Sequence, residues 1–494
     1  MTAQRNPWPA LGALIIGFFM ILLDSTIVSV ANPIIMRDLH ADITQVIWVT
    51  SAYLLTYAVP LLVTGRLGDR LGPKKIYLTG LAVFTAASLW CARSGSIEML
   101  IAARAVQGLG ASMMTPQTMA VITRTFPPDR RGAAMGLWGA VAGLAMLVGP
   151  ILGGVLVGQL GWSWIFYINV PIGVVAFALA WRLVPTLETH PHRFDRVGVA
   201  LSAAGMFLLV FGLQEGNGRH WNGTTWAMIA AGLAISALFV RSQARTADEP
   251  LVPLRLFRDR NFALSNVAVT AMGVAVTSMM TPWYFYLQAV RDLSPMRSAL
   301  VLAPMAIVTA VTGPLIGKVS DRVPPRVVPT VGFALFAASV FGIAAAMRPS
   351  SPIAVFLVAG VVAGLANSCI WASLASVATR NLPMHQAGAG AGVYNTTRQL
   401  GSVLGSAAVA ALISARMAAA GLGDGALSTG VAGHLPPAVL DRFSTALGQA
   451  MILPAAALVV GALAAALFTG STPTPGGAAP TELTVLSGNS NDRN

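Results

Sequence analysis

Long apolar runs, separated by short loops rich in Lys and Arg, recur along the whole chain. A helix that crosses a bilayer needs about twenty mostly apolar residues, and in lipid the backbone must satisfy its own hydrogen bonds, which favours helices. Only 10% of the residues are charged and 55% are hydrophobic, whereas soluble domains carry roughly 25% charged residues. We therefore predict an all-α integral membrane protein with 14 transmembrane helices, at roughly 11–33, 46–65, 76–93, 97–122, 133–158, 164–184, 197–214, 224–241, 262–288, 298–317, 328–347, 353–379, 388–414 and 448–469.

The Lys and Arg residues fall mainly into alternate loops. If the N-terminus is cytoplasmic, the cytoplasmic loops and ends hold 21 of the 31 Lys and Arg residues and the outer loops hold 8, while Arg104 and Arg398 lie within spans. Loops with excess Lys and Arg stay in the cytoplasm, so we predict a multi-pass protein of the inner (plasma) membrane with both termini cytoplasmic. Topology also explains the net charge of +13, and we predict no nucleic-acid partner.

A charged hairpin occurs twice in the chain. The segment 65–75 (GRLGDRLGPKK) returns in weaker form at 317–326 (GKVSDRVPPR), with Asp69 and Asp321 252 residues apart. Equivalent hairpins in two hydrophobic halves are typical of a duplicated transporter. We expect two pseudo-symmetric six-helix bundles at 11–184 and 262–469, two inserted helices at 185–261, a cytoplasmic N-terminus at 1–10 and a disordered cytoplasmic tail at 470–494.

Asp24 is the only one of the 18 acidic residues that lies deep within a predicted span. A carboxylate at mid-bilayer is costly and usually faces a cavity where it acts. Apolar surroundings disfavour the charged form and a nearby cation favours it, so such an acid can take up and release a proton. The alternative is a static hydrogen bond between helices.

Arg104 lies near the middle of the fourth predicted span, with Gln107 one turn later on the same face. A guanidinium keeps its proton in proteins, so it needs a counter-charge, and Asp24 is the available anion. We predict that Arg104 and Asp24 interact, directly or through water, and couple transport to protons. The alternative is an arginine tied to helix carbonyls as a structural post.

The hairpin residues Gly65, Asp69, Arg70, Arg131 and Asp321 are candidates for a conformational latch. The hairpin glycines relieve backbone crowding. Asp69 can accept hydrogen bonds from Arg131 or from a helix N-terminus across the interface between the halves. Such a latch stabilises one access state and breaks in the other; alternatively, the hairpin charges serve membrane topology alone.

Two further groups of residues are candidates for the transport path. Small residues in the fifth span allow close helix packing, and its Gly-Pro step favours a bend; these residues include Gly149, Pro150, Gly153 and Gly154. Aromatic faces can bind organic cations and Met adapts to varied shapes. The candidate cavity residues are Tyr53, Tyr57, Gln107, Met113, Gln117, Trp283, Trp371, Asn395 and Arg398.

Several motifs together resemble the major facilitator superfamily, in particular its fourteen-helix drug/proton antiporter branch. They are LDSTIVSVANP (23–33), GRLGDRLGPKK (65–75), RAVQGLGA (104–111), the Gly-Pro block ending at 154, WSWIFYINVPIG (162–173), FDRVG (194–198) and NTTRQLGSVLG (395–405). The resemblance implies proton-driven export of lipophilic, often cationic compounds by rocking of two halves. By position, it implies that Asp24 is the first-helix acid, Asp69 the loop latch and Arg104 the coupling arginine.

We therefore expect a multidrug or antibiotic exporter, and the alternative is an exporter of an endogenous lipid or secondary metabolite. No GxxxxGK[ST] loop for ATP and no catalytic cluster is present in the sequence, so we predict that the chain is not an enzyme. The isolated Cys91 and Cys369 give no metal-ligand spacing, and we expect no metal and no cofactor. The expected partners are a small-molecule substrate, protons and membrane lipid, and the protein is expected to be a monomer.

Overall fold

The computed structural model describes residues 6–41, 43–127, 130–189, 195–216, 219, 221–246, 250–383, 386–422 and 437–470. Over these residues the fold is helical and contains no strand. The predicted tail beyond Gly470 lies outside the described residues, as do residues 1–5 and the segment 423–436 between two of the predicted spans.

The first half contains eight helices. They are α1 (Trp8–Asp38), α2 (Ile43–Ala58), α3 (Leu61–Leu71), α4 (Pro73–Ala92), α5 (Ile97–Thr125), α6 (Arg131–Leu160), α7 (Trp164–Tyr167) and α8 (Asn169–Leu183). The inserted pair is α9 (Arg196–Glu215) and α10 (Gly223–Arg245).

The second half follows a short 3₁₀ turn at Leu254–Arg258. Its helices are α11 (Arg260–Phe285), extended by a π-helical turn at Tyr286–Val290, α12 (Pro295–Ser320), α13 (Val327–Ala346), α14 (Ile353–Thr379), α15 (Ala387–Ala419), α16 (Pro437–Ala450) and α17 (Ile452–Ala466).

Within the described residues, eleven helices are long and apolar enough to cross a membrane, or up to twelve if the bent pair α2–α3 is one span. The sequence predicts one unbroken span over 46–65, but the chain bends by 45° between α2 and α3. Pro60 lies at this break. Proline lacks the backbone N–H that would continue the helix, which explains why the predicted span is interrupted.

The predicted loop over 65–75 is wrong in its extent, because helix α3 continues to Leu71 and α4 begins at Pro73. Only Gly72 forms the turn, with φ +96°, a left-handed conformation that favours glycine. Pro73 suits the first helical position because its missing N–H would have no helical partner there. The other hairpin glycines, Gly65 and Gly68, lie within α3 and serve packing.

The last span also differs from its predicted bounds of 448–469. Helices α16 and α17 are separated only at Met451 and together give an apolar crossing over Val439–Ala466. Helix α16 therefore begins eleven residues before the predicted span. Side chains of α16 such as Phe443 and Leu447 are buried in the core of the second half, which explains why the helix extends into the bundle.

The two halves meet where α3 and α5 pack against α15, and where α6 packs against α12 and α14. The inserted helices α9 and α10 pack against each other, and α9 also contacts α2 and α15. Asp195, from the FDRVG motif, caps α9 by accepting from the N–H of Gly198 at 2.7 Å. Gln243 of α10 donates to Asp195 at 2.6 Å and accepts from the N–H of Val252 at 2.9 Å. These hydrogen bonds hold α9 and α10 to each other and to the segment that follows α10.

Candidate functional site

A buried polar cluster in the first half surrounds Asp24 of α1. Its carboxylate forms an ion pair with the guanidinium of Arg104 in α5. It also accepts from the amide of Gln107 at 2.9 Å and from the amide of Asn169 in α8 at 3.1 Å. Asp24, Arg104 and Gln107 have no exposed surface. The predicted contact between the two buried charges is therefore present and direct.

The remaining donors of Arg104 have distinct environments. Its Nε donates to the carbonyl of Val49 in α2 at 3.1 Å, and one NH1 bond goes to Gln107 Oε1 at 2.7 Å. The guanidinium carbon lies 4.1 Å from the centroid of the Tyr53 ring, a cation–π contact. Its NH2 group is buried and has no hydrogen-bond partner. The sequence offers pairing with Asp24 and binding to helix carbonyls as alternatives for Arg104, and the structure contains both contacts.

Two residues of this cluster, Ser88 and Asn169, were not among the sequence candidates. Ser88 of α4 accepts from Gln107 Nε2 at 2.7 Å. Asn169 lies at the start of α8, just after the short α7, and is 1% exposed. An amide inside the apolar WSWIFYINVP segment was the available signal, because a polar side chain in a membrane span needs a partner.

The chemistry available to the cluster is that of one carboxylate held by several fixed donors. Breaking a buried pair by neutralising one member leaves the other charge uncompensated, which is strongly unfavourable. A proton on Asp24 would therefore favour any rearrangement that brings a new acceptor or water to Arg104. Among the described residues, no group of His, Cys, Asp and Glu could hold a metal ion.

The first hairpin carboxylate binds the N-terminus of a helix in the opposite half. Asp69 is 1% exposed and accepts from the backbone N–H groups of Gly388 and Ala389, each at 2.8 Å. These N–H groups belong to the first turn of α15, where no intrahelical acceptor exists and the helix dipole favours an anion. Of the two predicted partners for Asp69, the helix N-terminus is the one observed.

The second hairpin repeats this contact in the reverse direction. Asp321, at the end of α12, accepts from the N–H groups of Gly132 and Ala133 at 2.9 and 3.2 Å. These residues form the first turn of α6 in the first half. We call these two contacts the Asp69 latch and the Asp321 latch, and the end of the molecule that carries them the hairpin side.

Glycines allow the close approach that each latch requires. A side-chain carbon added at Gly65 would lie 2.5 Å from the carbonyl oxygen of Gly388 and 3.0 Å from the Cα atom of Gly392. At the Asp321 latch, a side-chain carbon added at Gly317 would lie 3.0 Å from the Cα atom of Ala133. Helix backbones therefore touch at both crossings.

The predicted latch arginines have other contacts. Arg131 is 2% exposed and donates to the carbonyls of Phe126 at 3.0 Å and Thr379 at 3.2 Å. The bond to Thr379 crosses between the halves, so Arg131 joins α6 to α14 at the hairpin side. Arg70 is exposed at the end of α3.

The predicted antiporter glycines lie in α6, next to the helix that carries Asp24. A side-chain carbon at Gly149 would lie 3.0 Å from the Cβ atom of Thr26, two residues after Asp24. Gly153 is buried, and Gly154 faces Met296 of α12. Pro150 lies within α6, and its side chain is outside the described part of the structure.

The structure brings some of the candidate cavity residues together and separates the others. Tyr53 and Tyr57 stack at 6.1 Å between ring centroids and connect the Asp24 cluster to Arg398, whose NH2 donates to the Tyr57 hydroxyl at 3.2 Å. Asn395 lies one turn before Arg398 on α15. Four other candidates lie apart from this set. Gln117 donates to the carbonyl of Thr64, and Met113 packs against Gly80. Trp283 is buried in the core of the second half, and Trp371 packs against Gly139.

The helical bundle, its two equivalent latches and the buried ion pair define a multi-pass membrane transporter built from two related halves. Residues 14–406 match the family model of the Major Facilitator Superfamily, and the chain belongs to that family. The family consists of transporters rather than enzymes, as predicted.

Similar proteins include an uncharacterized MFS-type transporter of Mycobacterium tuberculosis, 51% identical over 94% of this chain and 82% of the relative. The tetracenomycin C resistance and export protein of Streptomyces glaucescens is 34% identical over 84% of this chain and 77% of that protein. Further relatives at 29% and 31% identity are named as multidrug export or resistance proteins. The solved proton:xylose symporter XylE shares the fold, with TM-score 0.62, 13% identity, and 91% and 94% of the two chains covered.

Proposed function

We propose that this protein is a proton-coupled antiporter that exports lipophilic small molecules by alternating access. The observation that carries the proposal is the fully buried Asp24–Arg104 pair. At the 252-residue offset of the hairpins, Asp24 corresponds to Val276 and Arg104 to Phe356. We infer that proton coupling belongs to the first half.

The latches supply the second part of the proposal, because they join the halves only at the hairpin side in the described state. Opening of that side must separate Asp69 from α15 and Asp321 from α6. A proton on Asp24 would weaken the pairing of Arg104 within the first half, and rocking would then exchange the two access states. A proton that enters down the membrane potential would release roughly 2.3 kcal/mol per 100 mV.

We further propose fourteen crossing helices, with the hairpin side and both termini in the cytoplasm of a plasma-membrane protein that acts as a monomer. Beside the apolar spans already counted, α5 and α6 have 29 and 30 residues, which exceeds the length that a crossing needs. The excess of Lys and Arg at the hairpin side supports the orientation. Lipid would contact exposed apolar residues such as Trp181 and Val311.

The substrate is proposed to be a drug or antibiotic, with lipophilic cations as the class that the sequence predicts. A second candidate is an endogenous secondary metabolite, and one observation favours it: a relative at 34% identity is named as a tetracenomycin C resistance and export protein. Both candidates use the same coupling site.

The test is efflux from proteoliposomes with an imposed pH gradient, using rhodamine 6G and tetracenomycin C as probes. The comparison is wild type against Asp24→Asn, with the exposed Asp38→Asn as the matched control. We expect the gradient to accelerate efflux in wild type and in Asp38→Asn. In Asp24→Asn the gradient should have no effect, and any remaining flux should follow the probe concentration. Gradient-driven efflux at the wild-type rate in Asp24→Asn would refute proton coupling at this site.

A further inference from the structure

The second half holds a charged residue that the proposed coupling mechanism does not use. Arg398 is the twelfth residue of α15, about 17 Å along the helix axis from its first residue at 1.5 Å per residue. The hydrocarbon core is about 30 Å thick, so the side chain lies at the depth of the bilayer interior. Arg398 is half-buried, and its Nε atom is buried without a hydrogen-bond partner.

Arg398 has no counter-charge within the described residues. Among the described residues, its side chain donates to the Tyr57 hydroxyl and not to a carboxylate. The Asp24 carboxylate already binds Arg104, Gln107 and Asn169, and the Asp69 carboxylate binds the N-terminus of α15. Because guanidinium groups do not lose their proton in proteins, Arg398 keeps a positive charge that no carboxylate of the described residues pairs with. Such a charge in the membrane interior is costly and marks a place where an opposite charge can bind.

The groups around Arg398 come from both halves and have unused hydrogen-bonding capacity. Asn395, one turn earlier on α15, has no exposed surface, and its Oδ1 atom has no partner. Its amide nitrogen contacts the Met119 sulfur of α5 at 3.9 Å. The Tyr57 hydroxyl lies 3.1 Å from the hydroxyl of Thr115, also in α5. The contacts from Arg398 to Tyr57 and from Tyr57 to Thr115 therefore cross between the halves, and Asn395 lies one helical turn from Arg398.

We propose that Arg398, Tyr57 and Asn395 form a subsite for an acidic group, a carboxylate or an ionised phenol, on an otherwise apolar substrate. Arg398 binds the anion, Tyr57 donates to it, and Asn395 Oδ1 accepts from a neighbouring hydroxyl or amine of the same substrate. Charge-assisted hydrogen bonds of this kind are stronger than neutral ones. The subsite rests on the proposed function as an exporter, and it replaces the predicted preference for cations, because a second positive charge next to Arg398 would be repelled.

The inference is tested by equilibrium binding to purified protein in nanodiscs at pH 7.5, without any gradient. The probes are fluorescein, an anionic xanthene dye, and rhodamine 123, a cationic dye with the same ring system, and fluorescence polarisation gives both affinities. The variants are Arg398→Gln, Arg398→Lys and Tyr57→Phe. The exposed Arg416→Gln, on the same helix, is the matched control for net charge.

We expect wild type and Arg416→Gln to bind fluorescein more tightly than rhodamine 123. Arg398→Gln should weaken fluorescein binding about 10- to 100-fold, the loss expected for a hydrogen bond to a charged group, and leave rhodamine 123 binding unchanged or tighter. Arg398→Lys should retain part of the affinity because it keeps the charge, and Tyr57→Phe should weaken fluorescein alone.

Three results would overturn the subsite: no fluorescein binding to wild type, tighter binding of rhodamine 123 than of fluorescein, or equal losses for both dyes in the Arg398 variants. Arg398→Lys and Tyr57→Phe keep the test decisive if Arg398→Gln fails to fold. Because binding is measured without a gradient, the outcome is separate from that of the Asp24→Asn efflux test.

Discussion

The two latches allow a quantitative prediction for the balance between access states. Each carboxylate accepts two backbone N–H groups at the start of a helix in the opposite half, over 2.8–3.2 Å. Replacing a helix-capping side chain by Ala costs about 0.5–2 kcal/mol, and hydrogen bonds to charged groups contribute about 1.5–3 kcal/mol. We therefore expect Asp69→Ala or Asp321→Ala to destabilise the closed hairpin side by about 1–3 kcal/mol.

A free-energy change of this size shifts a two-state equilibrium by about 5- to 150-fold. In the proposed mechanism these contacts exist only while the hairpin side is closed, so we expect the shift to favour the state in which that side is open. The two latches share no residue, and the double variant should show approximately the sum of the single effects. Asp69→Asn should show a smaller shift than Asp69→Ala, because Asn still caps a helix without the charge.

The assay is a distance distribution between spin labels at Lys75→Cys and Arg380→Cys, two exposed positions at the hairpin side in opposite halves. The native Cys91 and Cys369 are buried and should label poorly. We expect a longer-distance population to grow in both latch variants, and to remain at the wild-type level in Asp441→Ala, which removes an exposed carboxylate. Unchanged distributions in Asp69→Ala, Asp321→Ala and the double variant would refute the latch function.

Three further predictions concern buried amides, each measured as the melting temperature of purified protein. Asn169→Leu removes one donor to the Asp24 carboxylate and should cost about 1.5–3 kcal/mol, while Asn222→Gly, at an exposed helix cap, should cost only a few tenths; equal losses would contradict this. Gln243→Leu removes the hydrogen bonds that join α10 to Asp195 and Val252 and should cost about 1–3 kcal/mol, whereas Gln159→Leu at an exposed position of α6 should cost little; an unchanged melting temperature in Gln243→Leu would show that these bonds are dispensable. Asn261→Ala removes three bonds to Thr469 after α17 and should cost a similar amount, unlike the exposed Asn222→Gly.

The buried ion pair could be predicted from the sequence because lipid leaves two opposite charges few other partners. Asp24 and Arg104 were each the isolated charge of an apolar span, and Gln107 shares a face of the helix with Arg104. Asn169 was missed for a different reason. Its contact depends on how α8 packs against α1, and the length and hydropathy of a span carry no information about that packing.

The sequence leaves two possible partners for Asp69, Arg131 or a helix N-terminus, and it does not distinguish between them. Its acceptors bind backbone N–H groups of Gly388 and Ala389, and a backbone group has no side-chain signature in the sequence. The extent of the hairpin was wrong for a related reason, since basic and glycine residues at 65–71 suggested a loop although they continue α3. Glycine usually indicates a turn, but Gly65 lies within α3, where a side chain would collide with the backbone of α15.

The two halves share their latch contacts but not the buried ion pair. Rocking about a pseudo-two-fold axis requires equivalent contacts, and the Asp69 and Asp321 latches provide them. A coupling site needs only one copy, and Phe356, which corresponds to Arg104, is fully buried and packs against Tyr286 with 5.1 Å between ring centroids. A charge at Phe356 would therefore lack a counter-ion in an apolar core. The second half instead places a cation at Arg398, in contact with Tyr57 of the first half, and we propose that a substrate anion binds there, at the interface that rocking would open and close.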